Sequence, residues 1–122
     1  MESKALKLLL IEDDLADANW IGKILREQNR QKFQVWHVQK VATALHRLSQ
    51  DDFDAMLLNL SLSNSEELNS LEAVYQKAPQ LPIVVLTAKD DPTVAVQSLR
   101  KGAQDYLIKG EFDGKSLKRS IA

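Results

Sequence analysis

Short apolar runs alternate with amphipathic stretches along the whole chain. The runs Leu6 to Ile11, Phe33 to Val38, Ala55 to Leu60, Ile83 to Thr87 and Asp105 to Ile108 read as strands. Three of them, around Leu8-Leu9-Leu10-Ile11, Ala55-Met56-Leu57-Leu58 and Ile83-Val84-Val85-Leu86, are too uniformly apolar to have a wet face. Such strands belong to a parallel sheet covered on both sides. In the gaps, apolar residues recur at helical spacing: Trp20, Ile21, Ile24 and Leu25; Val41, Leu45 and Leu48; Leu68, Leu71 and Tyr75; Ala95, Val96 and Leu99; Leu117 and Ile121. Five strands and five helices in alternation predict a single-domain α/β fold, a doubly wound (βα)5 parallel five-stranded sheet. Asp14 is suited to cap the first helix, Pro92 to open the fourth and Gly102 to end it.

Several strands end in polar residues. Glu12-Asp13-Asp14 follows the first, Asn59 stands at the end of the third, Thr87-Ala88 ends the fourth and Lys109 follows the fifth. Side by side in a parallel sheet, these ends share one edge, where open α/β sheets place their ligands. An acidic pair, a hydroxyl and a lysine make a phosphoryl-and-metal site, because phosphoryl transfer needs positioning and charge neutralisation. Asn59 sits at its centre without the carboxylate that would be the nucleophile, and no acyl phosphate can form on an amide. Singly, each residue has a plainer reading. An Asp-Asp pair caps helices, a threonine suits a strand end, a lysine is most often a solvated charge and Tyr106 is as readily core packing. Their convergence at one edge is what favours a site.

Composition narrows the classes. At 122 residues the chain makes one domain with its own core. Its 16 basic and 17 acidic residues leave a net charge of −1, and no basic block points to direct nucleic-acid binding. Cysteine is absent, which excludes disulfides and thiolate metal sites. No apolar stretch approaches the ~20 residues of a membrane span, and Met1-Glu2-Ser3-Lys4 leads straight into a strand, so the expectation is a cytoplasmic protein. The glycines, Gly22, Gly102, Gly110 and Gly114, build no phosphate loop after the first strand, which disfavours a dinucleotide or flavin enzyme. His37 and His46 fall in a strand and a helix with no acid–base partner evident, and Asp13 and Asp14 are adjacent rather than alternating as an aspartate-nucleophile phosphatase would want. The chain is expected not to be an enzyme.

The order Leu10-Ile11-Glu12-Asp13-Asp14, Leu86-Thr87-Ala88 and Gly102-Ala103-Gln104-Asp105-Tyr106-Leu107-Ile108-Lys109 resembles the receiver domain of two-component response regulators, over essentially residues 1–122. That resemblance implies a flavodoxin-like fold, a magnesium ion held by Asp13 and Asp14 with Asn59 beside them, a phosphate site at Thr87 and Lys109, and Tyr106 as the moving aromatic. It also implies a histidine kinase or other signalling protein as partner and a C-terminal output domain. A homodimer is a further expectation, through a face carrying Arg100, Lys101, Gln104, Lys115, Lys118 and Arg119. The last helix has only about nine residues, Gly114 to Ala122, which suggests the N-terminal part of a longer protein.

The departures concern the chemistry. Asn59 stands where the family carries its phosphoacceptor aspartate, Ser63 and Glu67 where a proline and a glycine are common, and Gly110 where a proline usually follows the lysine. No neighbour substitutes readily. Asp54 lies at the other end of the strand, roughly 16 Å away at ~3.3 Å per residue. Asp90 and Asp91 lack a strand-end placement, and Ser61 lacks an activating base. The reading is a pseudo-receiver that binds magnesium weakly and acts by protein–protein contact. The alternative is a conventional phosphorylatable regulator carrying an engineered Asp-to-Asn substitution.

Overall fold

The computed structural model describes residues 5–26, 32–60, 67–87 and 92–121. The order is β1 (Leu6–Ile11), α1 (Leu15–Arg26), β2 (Phe33–Val38), α2 (Val41–Gln50), β3 (Ala55–Asn59), α3 (Glu67–Lys77), β4 (Ile83–Thr87), α4 (Pro92–Arg100), β5 (Asp105–Ile108) and α5 (Gly114–Ile121). All strands pair in parallel, in the order β2-β1-β3-β4-β5. The expected (βα)5 fold is present. Leu60 falls just beyond β3, in a turn, although its amide still donates to the Leu86 carbonyl at 2.9 Å.

The alternation of side chains divides the core in two. Leu9, Ile11, Met56, Leu58, Ile83 and Val85 pack on one face with Ala44, Leu71 and Val74. Leu8, Leu10, Ala55, Leu57, Val84 and Leu86 pack on the other with Ile21, Leu25, Leu117 and Ile121. The central strands are therefore buried on both sides, as their uniform apolarity requires.

The helix ends follow their sequence signals. Asp14 Oδ1 accepts the amide of Asp17 at 3.0 Å, capping α1. Pro92 is the first residue of α4, where its missing N–H costs nothing. Gly102, at φ +114°, closes α4: the Ala103 amide donates to the Ser98 carbonyl and the Gly102 amide to Leu99, the two bonds of a Schellman motif.

Helical periodicity found the apolar stripes but overstated their width. Trp20, Tyr75, Val96 and Leu99 are exposed rather than core. Trp20 stacks at a tilt on Phe112, ring centroids 5.4 Å apart. The side chains of Glu67 and Leu68, and residues Ser61, Ser63, Ala88, Asp90 and Asp91, lie outside what is described.

Candidate functional site

Counting along the strands shows which side chains meet. Glu12 continues the Leu8, Leu10 row, Asn59 the Ala55, Leu57 row and Lys109 the row of Leu107, so all three emerge on the α1 face of the sheet. Asn59 Nδ2 donates to Glu12 Oε2 at 2.7 Å and toward Asp13 Oδ1 at 3.3 Å. Glu12 Oε2 also accepts the Asp14 amide at 3.1 Å. The other oxygen, Glu12 Oε1, lies 2.6 Å from the Lys109 ammonium. Lys109 in turn donates to Asp17 Oδ2 at 2.9 Å. A chain of polar contacts thus runs from Asp13 through Asn59, Glu12 and Lys109 to Asp17, tying the ends of β1, β3 and β5 to α1.

Electrostatics centre on Glu12, which is fully buried (0 % exposed). Burial pushes its carboxyl above the usual range, and the bond to Lys109 opposes that rise. For Lys109, burial works to lower the ammonium, but the bonds to Glu12 and Asp17 outweigh it and hold the group above an ordinary lysine. The main chain fixes the lysine too, its amide donating to the Thr87 carbonyl at 2.7 Å. A cleft of about 200 Å³ beside the pair is lined by Asp17, Trp20, Ile21, Lys109 and Gly110.

The other expected residues divide. Thr87 is fully buried at the end of β4. Tyr106 pairs in register with Val85 and Ile108 with Thr87, so Thr87 and Tyr106 share the face opposite Asn59. Tyr106 packs partly buried on that core. Asp13 reaches Asn59, whereas Asp14 turns its carboxylate to the first turn of α1. The acidic pair that meets Asn59 is thus Glu12 and Asp13 rather than Asp13 and Asp14. Glu12 escaped the sequence reading although strand alternation marks it, and Asp17 gave no signal. Asp54 is at the start of β3, where its carboxylate accepts the Lys7 amide at 2.8 Å. His37 donates from Nε2 to the Glu12 carbonyl at 2.7 Å, a structural bond that supports the end of β1.

A hard cation would need several oxygen lone pairs converging on one point. Here the Asn59 amide faces Glu12 and Asp13 with its N–H groups, and the Glu12 carboxylate is engaged on both oxygens. No group of three or more His, Cys, Asp or Glu side chains placed to hold a metal ion is found among the described residues. As arranged, the donor set does not fit a tightly held magnesium ion.

The basic face is also less uniform than expected. Lys101 pairs with Glu72 of α3, and Lys118 turns inward, its ammonium 5.8 Å from the centre of the Phe33 ring. Arg100, Gln104, Lys115 and Arg119 remain exposed. No helix among the described residues is long and apolar enough to cross a membrane.

Residues 8–122 match the family described as the response regulator receiver domain. The swarming motility regulation protein RssB of Serratia marcescens is 38 % identical over 105 residues, covering 85 % of this chain and 46 % of RssB. The transcriptional regulatory protein ZraR of Klebsiella oxytoca is 26 % identical over 123 residues, covering 100 % of this chain and 27 % of ZraR. The chain spans less than half the length of both. A response regulator from Thermotoga maritima superposes with a TM-score of 0.83 at 19 % identity, over 97 % of this chain and 98 % of that one. The receiver domain of a Pseudomonas aeruginosa sensor histidine kinase, solved with a magnesium ion coordinated in its active-site cleft, gives 0.80 at 23 % identity, over 97 % and 95 %.

Proposed function

The chain belongs to the response regulator receiver family, and on that premise we propose that it is a cytoplasmic signalling module of a two-component or phosphorelay system that carries no aspartyl phosphate. It works by protein–protein contact. Asn59 occupies the acceptor position, so the module is a pseudo-receiver rather than an enzyme. Its partners are a histidine kinase or another signalling protein, an output domain C-terminal to the receiver, and a second copy of the chain.

The observation that carries this reading is the Asn59 amide, which donates to Glu12 and approaches Asp13. A nucleophile has to present a lone pair to phosphorus. This side chain instead presents N–H groups to its own carboxylates. The amide and the Lys109 ammonium supply positive partners to the acidic cluster, which leaves magnesium at most a weak ligand.

Incubation with acetyl phosphate and magnesium, followed by intact-mass measurement, tests the reading. No phosphoryl adduct is expected on the chain as it stands. Asn59→Asp is expected to acquire one. An adduct mapped to a carboxylate of the unaltered site defeats the proposal.

A further inference from the structure

We infer that Asp17 is a positioning residue that holds the Lys109 ammonium on α1, committing it to the Glu12–Asp17 pair and away from any group bound at position 59. The inference rests on the reading of position 59 as the acceptor place and of Lys109 as its phosphate-binding lysine.

Both ends of this contact are fixed. The Lys109 amide is held by the Thr87 carbonyl, so only its side chain chooses a direction. Asp17 stands in the first turn of α1 with its amide on the Asp14 carboxylate. The helix itself is anchored in the core by Ala18, Ile21 and Leu25. A carboxylate in that first turn also suits the helix dipole.

Charge balance separates Asp17 from Glu12. One carboxylate neutralises one ammonium, and Glu12, 0 % exposed and 2.6 Å from Nζ, already does so. Asp17, with a side chain 43 % exposed, is not needed to compensate a buried charge. What it adds is direction. A lysine gripped from two sides has to break one contact before its ammonium turns to a phosphoryl group on β3, and the half-exposed contact to Asp17 is the one that can be removed without unfolding the site.

The experiment uses Asn59→Asp as the parent, with Asp17→Asn and Asp17→Glu added separately. Acetyl phosphate transfers its phosphoryl group to the introduced carboxylate: the donor P–O bond breaks, acetate leaves and a new P–O bond forms. Asp17→Asn should raise the labelling rate about fivefold, the equivalent of about 1 kcal/mol in barrier. Asp17→Glu retains the charge and should return the rate toward the parent. In the otherwise unaltered chain, Asp17→Asn should also speed acylation of Lys109 severalfold relative to the exposed Lys115. Equal rates, a slower double variant or unchanged Lys109 acylation would overturn the tether. An adduct on the unaltered chain, or none on either Asn59→Asp form, would overturn the reading of position 59 instead.

Discussion

Asn59 and Glu12 meet through a 2.7 Å hydrogen bond on one face of adjacent strands, with the Glu12 side chain fully out of solvent. A buried carboxylate is costly unless donors surround it. Asn59 and the Asp14 amide donate to one oxygen, and the Lys109 ammonium is the ion-pair partner of the other. The Asn59 amide therefore stabilises the end of β1.

Asn59→Asp should consequently destabilise the fold in the absence of divalent cations. It removes a donor from a buried acceptor and adds a like charge beside Glu12 and Asp13, a loss of about 2 kcal/mol or more. Magnesium should restore much of it, since a ligand that binds only the folded form raises its stability. Thermal melts with EDTA and with magnesium measure both effects. Titration of Trp20 fluorescence, in a Trp36→Phe background, should show tighter magnesium binding by the variant than by the unaltered chain. Equal affinities would sink the charge argument.

The fold was legible because the strongest signals were redundant: Leu8 to Ile11, Ala55 to Leu58 and Ile83 to Leu86 are apolar on both faces, and each is buried on both. The site was half legible. Asn59, Lys109 and Asp13 were placed by strand ends, while Glu12 required carrying the alternation of Leu8 and Leu10 one step past the strand. Asp17 was beyond reach, because its contact with Lys109 joins residues 92 apart and depends on the rotation of α1 against the sheet. Composition also gave the sign of the basic cluster near α5 without its direction, which is why Lys118 was expected outside and lies against Phe33.

The two glycines with positive φ should respond differently to alanine. A Cβ at Gly102 would lie 2.4 Å from Tyr75 Cδ1, at φ +114°, so Gly102→Ala meets both backbone strain and a ring. A loss of about 2–4 kcal/mol is expected. At Gly110, φ +86°, nothing lies within 4 Å, and only the left-handed backbone cost of about 1–2 kcal/mol applies. Urea unfolding midpoints of the two variants give the comparison, and equal losses would mean that Tyr75 yields freely.

Lys109→Met should be most damaging near neutral pH. Breaking the buried pair leaves Glu12 charged without its main counter-ion, a cost of about 3 kcal/mol. Lys109 is held above the ordinary lysine value of 10.5, so its contribution is fully present below that pH and is lost as pH rises through the higher folded value. At the acid end, Glu12 lies above the ordinary 4.5, and loss of Lys109 raises it further. The variant then gains stability as falling pH protonates the orphaned carboxyl. The deficit, read from melting temperatures across the pH range, should narrow at both ends, and a constant deficit would contradict this.

The basic face near α4 and α5 should separate into a structural and a surface part. Lys101 joins Glu72 across α3 and α4 with both side chains over a third exposed, so the pair is worth no more than about 1 kcal/mol. Lys101→Glu should cost that much, and Glu72→Lys in the same chain should recover it, because the swap restores opposite charges. Lys115 and Arg119 are exposed, and reversing both should change stability by less than ~0.5 kcal/mol. Their reversal should instead weaken self-association or capture of an acidic partner, most strongly at low salt, since rim charges steer encounter and are screened. Sedimentation at low and high salt, beside urea unfolding of the same variants, reads the two effects separately. Association unmoved by the reversal of Lys115 and Arg119 would assign both to solvation, and stability unmoved by Lys101→Glu would remove the α3–α4 pair from the account of the fold.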